Sequence, residues 1–290
     1  MTLKQSLNVI LTLDKNFIIH FTVALTSLLE NNKDLDASVY VIHDLEDTSP
    51  IPNVVRYFKE KYNVDLNLIT VDNQIFENFH ISPHLSRAAY FRLLFADILP
   101  VNVDTCLYID GDIIVTTSLK DLIGADFFAG ENKEEYGLLC VNDKNEQDGI
   151  QRLAKLGFDL KRYFNSGVLL INLKKWRADN VSEKLIKIGQ DFKEHLIWQD
   201  QDVLNIYFRN NTGKLDDTYN KFVDHKLSEI PKIIHYSGSS KPWHYFNMHP
   251  YKYLYWKYLK LTPFKNTVFE EVTPKKAIKK NIRLFLRLFK

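Results

Sequence analysis

Two carboxylates separated by one glycine stand at the end of an apolar run, Tyr108-Ile-Asp-Gly-Asp-Ile-Ile-Val115. A buried strand ending there delivers Asp110, Gly111 and Asp112 beyond the sheet, where the glycine lets both side chains turn toward one point. Anionic oxygens held so close repel each other unless a hard divalent cation lies between them. A cation held by so few carboxylates keeps coordination sites free, and diphosphate oxygens suit those sites. The same Asp-x-Asp also opens loops and caps helices, so the pair alone leaves both readings open.

Three further segments narrow the choice. Asn165-Ser-Gly-Val-Leu-Leu-Ile-Asn-Leu-Lys-Lys-Trp-Arg177 is a polar turn, an apolar strand and a basic stop. Trp198-Gln-Asp-Gln-Asp-Val-Leu-Asn205 packs four amide or acid side chains into the start of an apolar-periodic segment. Ile234-His-Tyr-Ser-Gly-Ser-Ser-Lys-Pro-Trp-His244 ends a strand with a histidine, a glycine and a lysine. In this order, with the Asp-x-Asp, they resemble the family 8 retaining glycosyltransferases, above all the bacterial lipooligosaccharide galactosyltransferases among them. The likeness runs from Val9 to about His244.

That resemblance implies a set of roles. Thr12, Asp14, Asn16 and Phe17 would surround the uridine of a UDP-sugar: a carboxylate can accept from the uracil N3–H and an aromatic ring can stack on the base. Asp110, Asp112 and His235 would hold Mn2+, with Mg2+ a weaker substitute, since mixed oxygen and nitrogen ligation suits Mn2+. Gly111, Arg92, Asn165 and Asp200 would meet the donor sugar. Gly238 would allow close backbone approach to a phosphate, and Lys241 would supply positive charge. Gln201 would lie beneath the anomeric carbon. A neutral amide is a poor nucleophile, which favours departure and attack on one face through an oxocarbenium-like state, with Asp200 as nucleophile the alternative. His84, Asp143, Trp198 and Ser237 would face the acceptor. The resembled galactosyltransferases carry Cys in place of Ser237 and Tyr in place of Trp198, so acceptor specificity is not carried over. From the residues alone, Asp14 and Asn16 also suit a helix cap, His235 a packed core ring, and 198–205 an amide-rich helix start.

The elements that must position these residues alternate. Residues 7–13, 37–43, 65–71 and 106–109 read as strands, and 17–29, 53–62, 87–94 and 181–196 as helices. Such alternation predicts an α/β fold with a mainly parallel, doubly wound sheet flanked by helices; the resemblance makes it the Rossmann-like GT-A type. Ligands of such sheets bind beyond the strand carboxyl ends, where Asp14, Asp110, Asp112 and Asn165 are expected. The pattern divides into 1–245, a catalytic domain, and 246–290, an aromatic and then basic helical extension.

Composition excludes several classes. High aromatic content (15 Tyr, 19 Phe) with sparse Gly and Pro argues for a packed globular chain. Cys106 and Cys140 lie in apolar runs, where buried free thiols and a cytosolic setting are expected. A Gly-rich phosphate loop is absent after the first strand, against NAD enzymes and nucleotidyltransferases. A non-catalytic protein that binds nucleotide-sugars or glycans is the alternative to a transferase. The chain carries +2 overall, yet Lys275, Lys276, Lys279, Lys280, Arg283, Arg287 and Lys290 form a tail without acids. Ile278, Ile282, Phe285 and Phe289 recur at helical spacing there, which suits an anionic membrane surface and a cytoplasmic, peripheral location on the inner face of the cell membrane. No second basic patch on the body points to nucleic acid. Deleting 273–290 is expected to release the protein from anionic vesicles while UDP release persists, each basic residue contributing roughly 1 kcal/mol. Equal pelleting of full-length and truncated chains in vesicle co-sedimentation would refute the membrane role.

Overall fold

The computed structural model describes residues 5–77, 79, 87–124, 128–129, 135–209 and 211–270. In chain order the elements are β1 (Ser6–Leu13), α1 (Ile18–Asn31), β2 (Asp36–His43), α2 (Ile51–Tyr62), β3 (Leu66–Thr70), α3 (Phe95–Ile98), β4 (Thr105–Ile109), β5 (Ile113–Val115) and β6 (Leu138–Asn142). Then come α4 (Glu146–Ala154), β7 (Phe164–Asn172), α5 (Leu173–Ala178), α6 (Val181–Asp191), α7 (Gln199–Phe208), β8 (Thr212–Lys214), β9 (Ile233–His235) and α8 (Lys252–Leu259). Residues Arg87–Leu94, expected as a helix, wind as a 3-10 helix.

A seven-stranded sheet runs β3-β2-β1-β4-β7-β6-β8. Its pairings are parallel except where β7 meets β4 and β6, so β7 alone runs against the rest. The chain moves outward from β1 to β3 and then returns to β4 on the other side of β1. That reversal opens a crevice beyond the carboxyl ends of β1 and β4. Because β7 is antiparallel, its amino end, carrying Asn165, reaches the same edge from the opposite direction.

Strand periodicity explains the two packed faces. Val9, Leu11, Leu107, Ile109, Val168 and Leu170 point into a core shared with α1 and α2. Ile10, Cys106, Tyr108, Leu169 and Ile171 point the other way, into a core shared with α3, α5, α6 and α7. Every residue of β7 is buried, as its central position requires. Both cysteines are free and buried, and burial pushes the thiols up. Among the described residues no helix is long and apolar enough to cross a membrane.

A third cluster joins α1 to residues on both sides of 245: Val23, Ile114, Ile234 and Trp243 pack with Tyr251, Leu254, Tyr255 and Tyr258. The described part of the extension is therefore continuous with the body's packing, whereas the basic tail lies outside the described residues. His20 is the polar pin of this seam. Its ring stacks on Trp243 with centroids 3.4 Å apart, and its Nδ1 lies 2.7 Å from the Tyr255 hydroxyl. Burial, with smaller contributions from His244 and Lys241 against an opposing pull from Asp112, lowers its pKa from 6.5 to about 3.

The unfolded ring gains a proton near 6.5 and the folded ring only near 3, so stability is full above that window and declines as pH falls through it. The slope reaches about 1.4 kcal/mol per pH unit. His20→Phe keeps an aromatic ring on Trp243 and removes this titration. Urea midpoints of the wild type should therefore fall more steeply than those of His20→Phe between about pH 6.5 and about pH 5. Parallel curves would exclude His20 as the source.

Candidate active site

β4 and the turn after it carry Asp110 and Asp112; β9, paired antiparallel to β5 with Ile113 opposite His235, brings in the imidazole. His235 Nε2 lies 3.3 Å from Asp112 Oδ1 and 3.8 Å from Asp110 Oδ2. One ligand atom from each of the three falls within 4.8 Å of the others. Two carboxylates and an imidazole nitrogen form a donor set that fits a divalent cation of the Mn2+ or Mg2+ type. The floor of this cluster is Gly167, where a Cβ would stand 2.3 Å from His235 Cε1 and 2.7 Å from Asp110 Oδ2. Only a residue without a side chain leaves His235 and Asp110 room.

Charge balance holds the cluster together. Arg92, buried, donates to Asp110 Oδ1 at 3.0 Å and to the Ser166 carbonyl at 2.7 Å, and its Nε lies 3.2 Å from Asp200 Oδ2. Burial would discharge this guanidinium, but Asp200, Tyr108 and Asp110 outweigh it and hold it protonated. Burial pushes the Asp200 carboxyl up to about 6 against the pull of Arg92, and the Asp110 charge adds to the rise. Burial acts the same way on Asp112, yet the contact with the Lys241 ammonium and then His235 keep it well below the usual carboxylate range. The Tyr108 hydroxyl donates to Asp110.

Asn165, Asp200 and Gln201 meet beside the acidic pair. Gln201 Oε1 accepts from Asn165 Nδ2 at 3.0 Å and from the Ser166 amide at 3.1 Å. Its Nε2 donates to the Tyr163 hydroxyl at 3.0 Å, and Tyr163 donates to Asp202 at 2.6 Å. Asp202 is fully buried and takes both guanidinium nitrogens of Arg152, at 3.0 and 3.1 Å. Asp143 accepts from Asn165 at 3.0 Å, so it belongs to this network.

The residues that the resemblance gives to the nucleotide follow β1 and approach the acidic turn. Asp14 and Phe17 are half-buried after β1; Asp14 accepts from the Asn16 amide at 2.7 Å, and Thr12 Oγ1 lies 3.3 Å from the Tyr108 hydroxyl. A Cβ on Gly111 would come within 3.2 Å of the Phe17 ring, so that ring abuts the acidic turn. Gly238 has φ +93° and open space around it, a conformation that favours glycine. Trp198 is 45% exposed at the start of α7 and Ser237 is half-buried after β9. His84 lies outside the described residues.

Sequence reasoning missed Gly167, Ser166, Tyr163, Asp202 and Asn220. Gly167 stands inside the Asn165-Ser-Gly segment, so the signal was on the chain. Tyr108 could have been found by period two, since it shares a strand face with Asp110. Nothing local marks Asn220, which accepts from His235 Nδ1 at 2.8 Å.

Fold and site together define a glycosyltransferase. Residues 8–247 match glycosyl transferase family 8, and the chain belongs to that family. It is similar to the lipopolysaccharide 1,2-glucosyltransferase of Escherichia coli, 28% identical over 295 residues that cover 96% of this chain and 84% of the relative. It is also similar to the lipopolysaccharide 1,3-galactosyltransferase of Salmonella typhimurium, 27% identical over 84% of this chain and 74% of that one. The crystal structure of the galactosyltransferase LgtC with donor and acceptor sugar analogues shares the fold, with TM-score 0.77 at 23% identity over 94% of this chain and 100% of that one.

Gly167→Ala should force the triad apart and weaken Mn2+ binding about tenfold or more, read by titration of the metal-free protein. Wild-type affinity in that variant would remove the triad as the cation site.

Proposed function

We propose that this chain moves galactose or glucose from a UDP-sugar to a saccharide acceptor of a surface glycan, with retention at the anomeric carbon and dependence on Mn2+. The observation that carries this reading is the convergence of Asp110, Asp112 and His235 on one point beside Gln201 and Asp200. The named activities of the relatives, lipopolysaccharide glucosyl and galactosyl transfer, support a hexose donor and a glycan acceptor. The two donors differ in the orientation of one hydroxyl, and both remain in the proposal.

A divalent cation held by Asp110, Asp112 and His235 would supply Lewis-acid neutralisation of the leaving diphosphate. Lys241 borders the triad and adds a positive charge there. Asp14, Asn16 and Phe17 would hold the uridine, and Arg92 and Asp200 the sugar hydroxyls. Gln201 has its oxygen committed to Asn165 and Ser166 and its nitrogen to Tyr163, so the amide is fixed and carries no free nucleophilic electron pair toward carbon. That favours reaction on one face. The bond from C1 to the diphosphate oxygen breaks, the acceptor oxygen bonds to C1 from the same side, and the acceptor proton passes to the departing oxygen. Fixed dipoles around the site stabilise the developing charges without reorganising. Trp198, exposed beside α7, suits the apolar face of an acceptor sugar, with Asp143, Ser237 and His84 as further acceptor contacts. The basic tail would hold the enzyme at the inner face of the cell membrane.

Asp112→Asn should lower UDP release from UDP-galactose or UDP-glucose on the order of a thousandfold, and chelation should do the same to wild type until Mn2+ is restored. Product NMR should show an α-linked hexose. Full turnover after exhaustive chelation would sink the metal dependence, and a β-linked product would sink retention.

A further inference from the structure

His235 and Gln201 are joined by side-chain amides whose orientation the backbone dictates. Asn165 Oδ1 accepts from the Gly167 amide at 2.9 Å, which identifies that atom as oxygen because a backbone N–H can only donate. Asn220 approaches the same oxygen at 2.9 Å, so it must do so with its Nδ2. Its Oδ1 then faces His235 Nδ1 at 2.8 Å, and a carbonyl oxygen there requires Nδ1 to carry the proton. The neutral ring is thereby left with its lone pair on Nε2, the atom facing Asp110 and Asp112. In the other direction Asn165 Nδ2 donates to Gln201 Oε1, which is likewise identified as oxygen by the Ser166 amide at 3.1 Å. Tyr163 donates to the Asp202 carboxylate and accepts from Gln201 Nε2, so every bond from His235 to Asp202 points the same way. Two adjacent amides at the start of β7 therefore set the polarity of the whole chain, and bonds aligned in series strengthen one another.

We propose that Asn220 is a positioning residue that imposes the Nδ1–H tautomer on His235 and couples this ring to the amide of Gln201. The inference rests on the reading of Asp110, Asp112 and His235 as a divalent-cation site. A ring held by an outer partner keeps its orientation as a ligand, and loss of such a partner commonly costs 10–100-fold in metal affinity, on the order seen across metalloproteins. Asn220 is buried and its two polar ends are both used, one toward the ligand and one toward the reaction side.

Two substitutions separate those ends. Asn220→Leu removes both bonds, and Mn2+ affinity by electron paramagnetic resonance titration should fall about 10–100-fold. Asn220→Asp still accepts from Nδ1–H but cannot donate to Asn165. Its Mn2+ affinity should stay within about threefold of wild type while kcat falls roughly tenfold at unchanged donor KM. In 15N-histidine spectra of the metal-free protein at one neutral pH, Nδ1 of His235 should be a protonated ring nitrogen in wild type and Asn220→Asp. In Asn220→Leu, at the same pH, Nδ1 should no longer be held as the protonated nitrogen. Should Asn220→Leu not fold, the wild-type spectrum and Asn220→Asp still decide. An unprotonated Nδ1 in wild type, or Asn220→Asp losing Mn2+ more than about tenfold, overturns the proposal. Failure of wild type to bind Mn2+ overturns the cation-site reading instead, and the metal-free spectra still report whether Asn220 sets the tautomer.

Discussion

Asp110 leaves the end of β4 and Asp200 opens α7, yet both carboxylates close on the guanidinium of Arg92. Two carboxylates sharing a buried pocket repel, and each loses hydration as well. A planar fork with several donors can meet both, bond the Ser166 carbonyl and lie 4.4 Å above the Tyr108 ring. Removing one partner of such a buried set typically costs about 3–5 kcal/mol, because an uncompensated charge stays behind. Arg92 thus ties the end of β4 and the start of β7 to the start of α7.

The start of α7 shows what this arrangement costs elsewhere. Gln199 is fully buried with φ +38°, and neither amide atom has a partner among the described residues. A non-glycine residue in the left-handed region costs on the order of 1–3 kcal/mol and persists only where its surroundings over-determine it. Asp202 supplies that constraint: its carboxylate accepts from the Ile197 and Trp198 amides at 2.9 Å while Arg152 neutralises it. The twist at Gln199 directs Asp200 and Gln201 inward and leaves Trp198 on the surface. The inward placement of Asp200 and Gln201 and the exposed Trp198 beside them accompany the same local strain.

Much of this was legible along the chain. The apolar alternation of β1, β2 and β4 marked the strands, since a side-chain period of two is local. The acidic pair, the Asn165 segment, the 198–205 cluster and His235 were visible because their residue types are unusual beside apolar runs. Arg92 stood out as a charge among apolar neighbours. The expectation that Asn165 follows the same rule as Asp14 and Asp110 missed the reversal of β7, because strand direction depends on connections and not on the strand's own residues. The bonds of Asp143 to Asn165 and Gln201 were not legible, because they join residues from three separate segments.

The sequence by itself determined the strands, the two faces of the sheet and the chemical inventory of its edge, all of which depend on neighbours within a few positions. Only the tertiary structure decided which inventory members touch. Asn220 and Asn165, 55 residues apart, and Asn165 and Gln201, 36 apart, become partners because separate elements end at one edge. Gly167 matters because His235, from a distant strand, descends onto its backbone. Hydrogen-bond direction, and with it the face that His235 presents, is fixed by backbone amides whose positions no local pattern encodes.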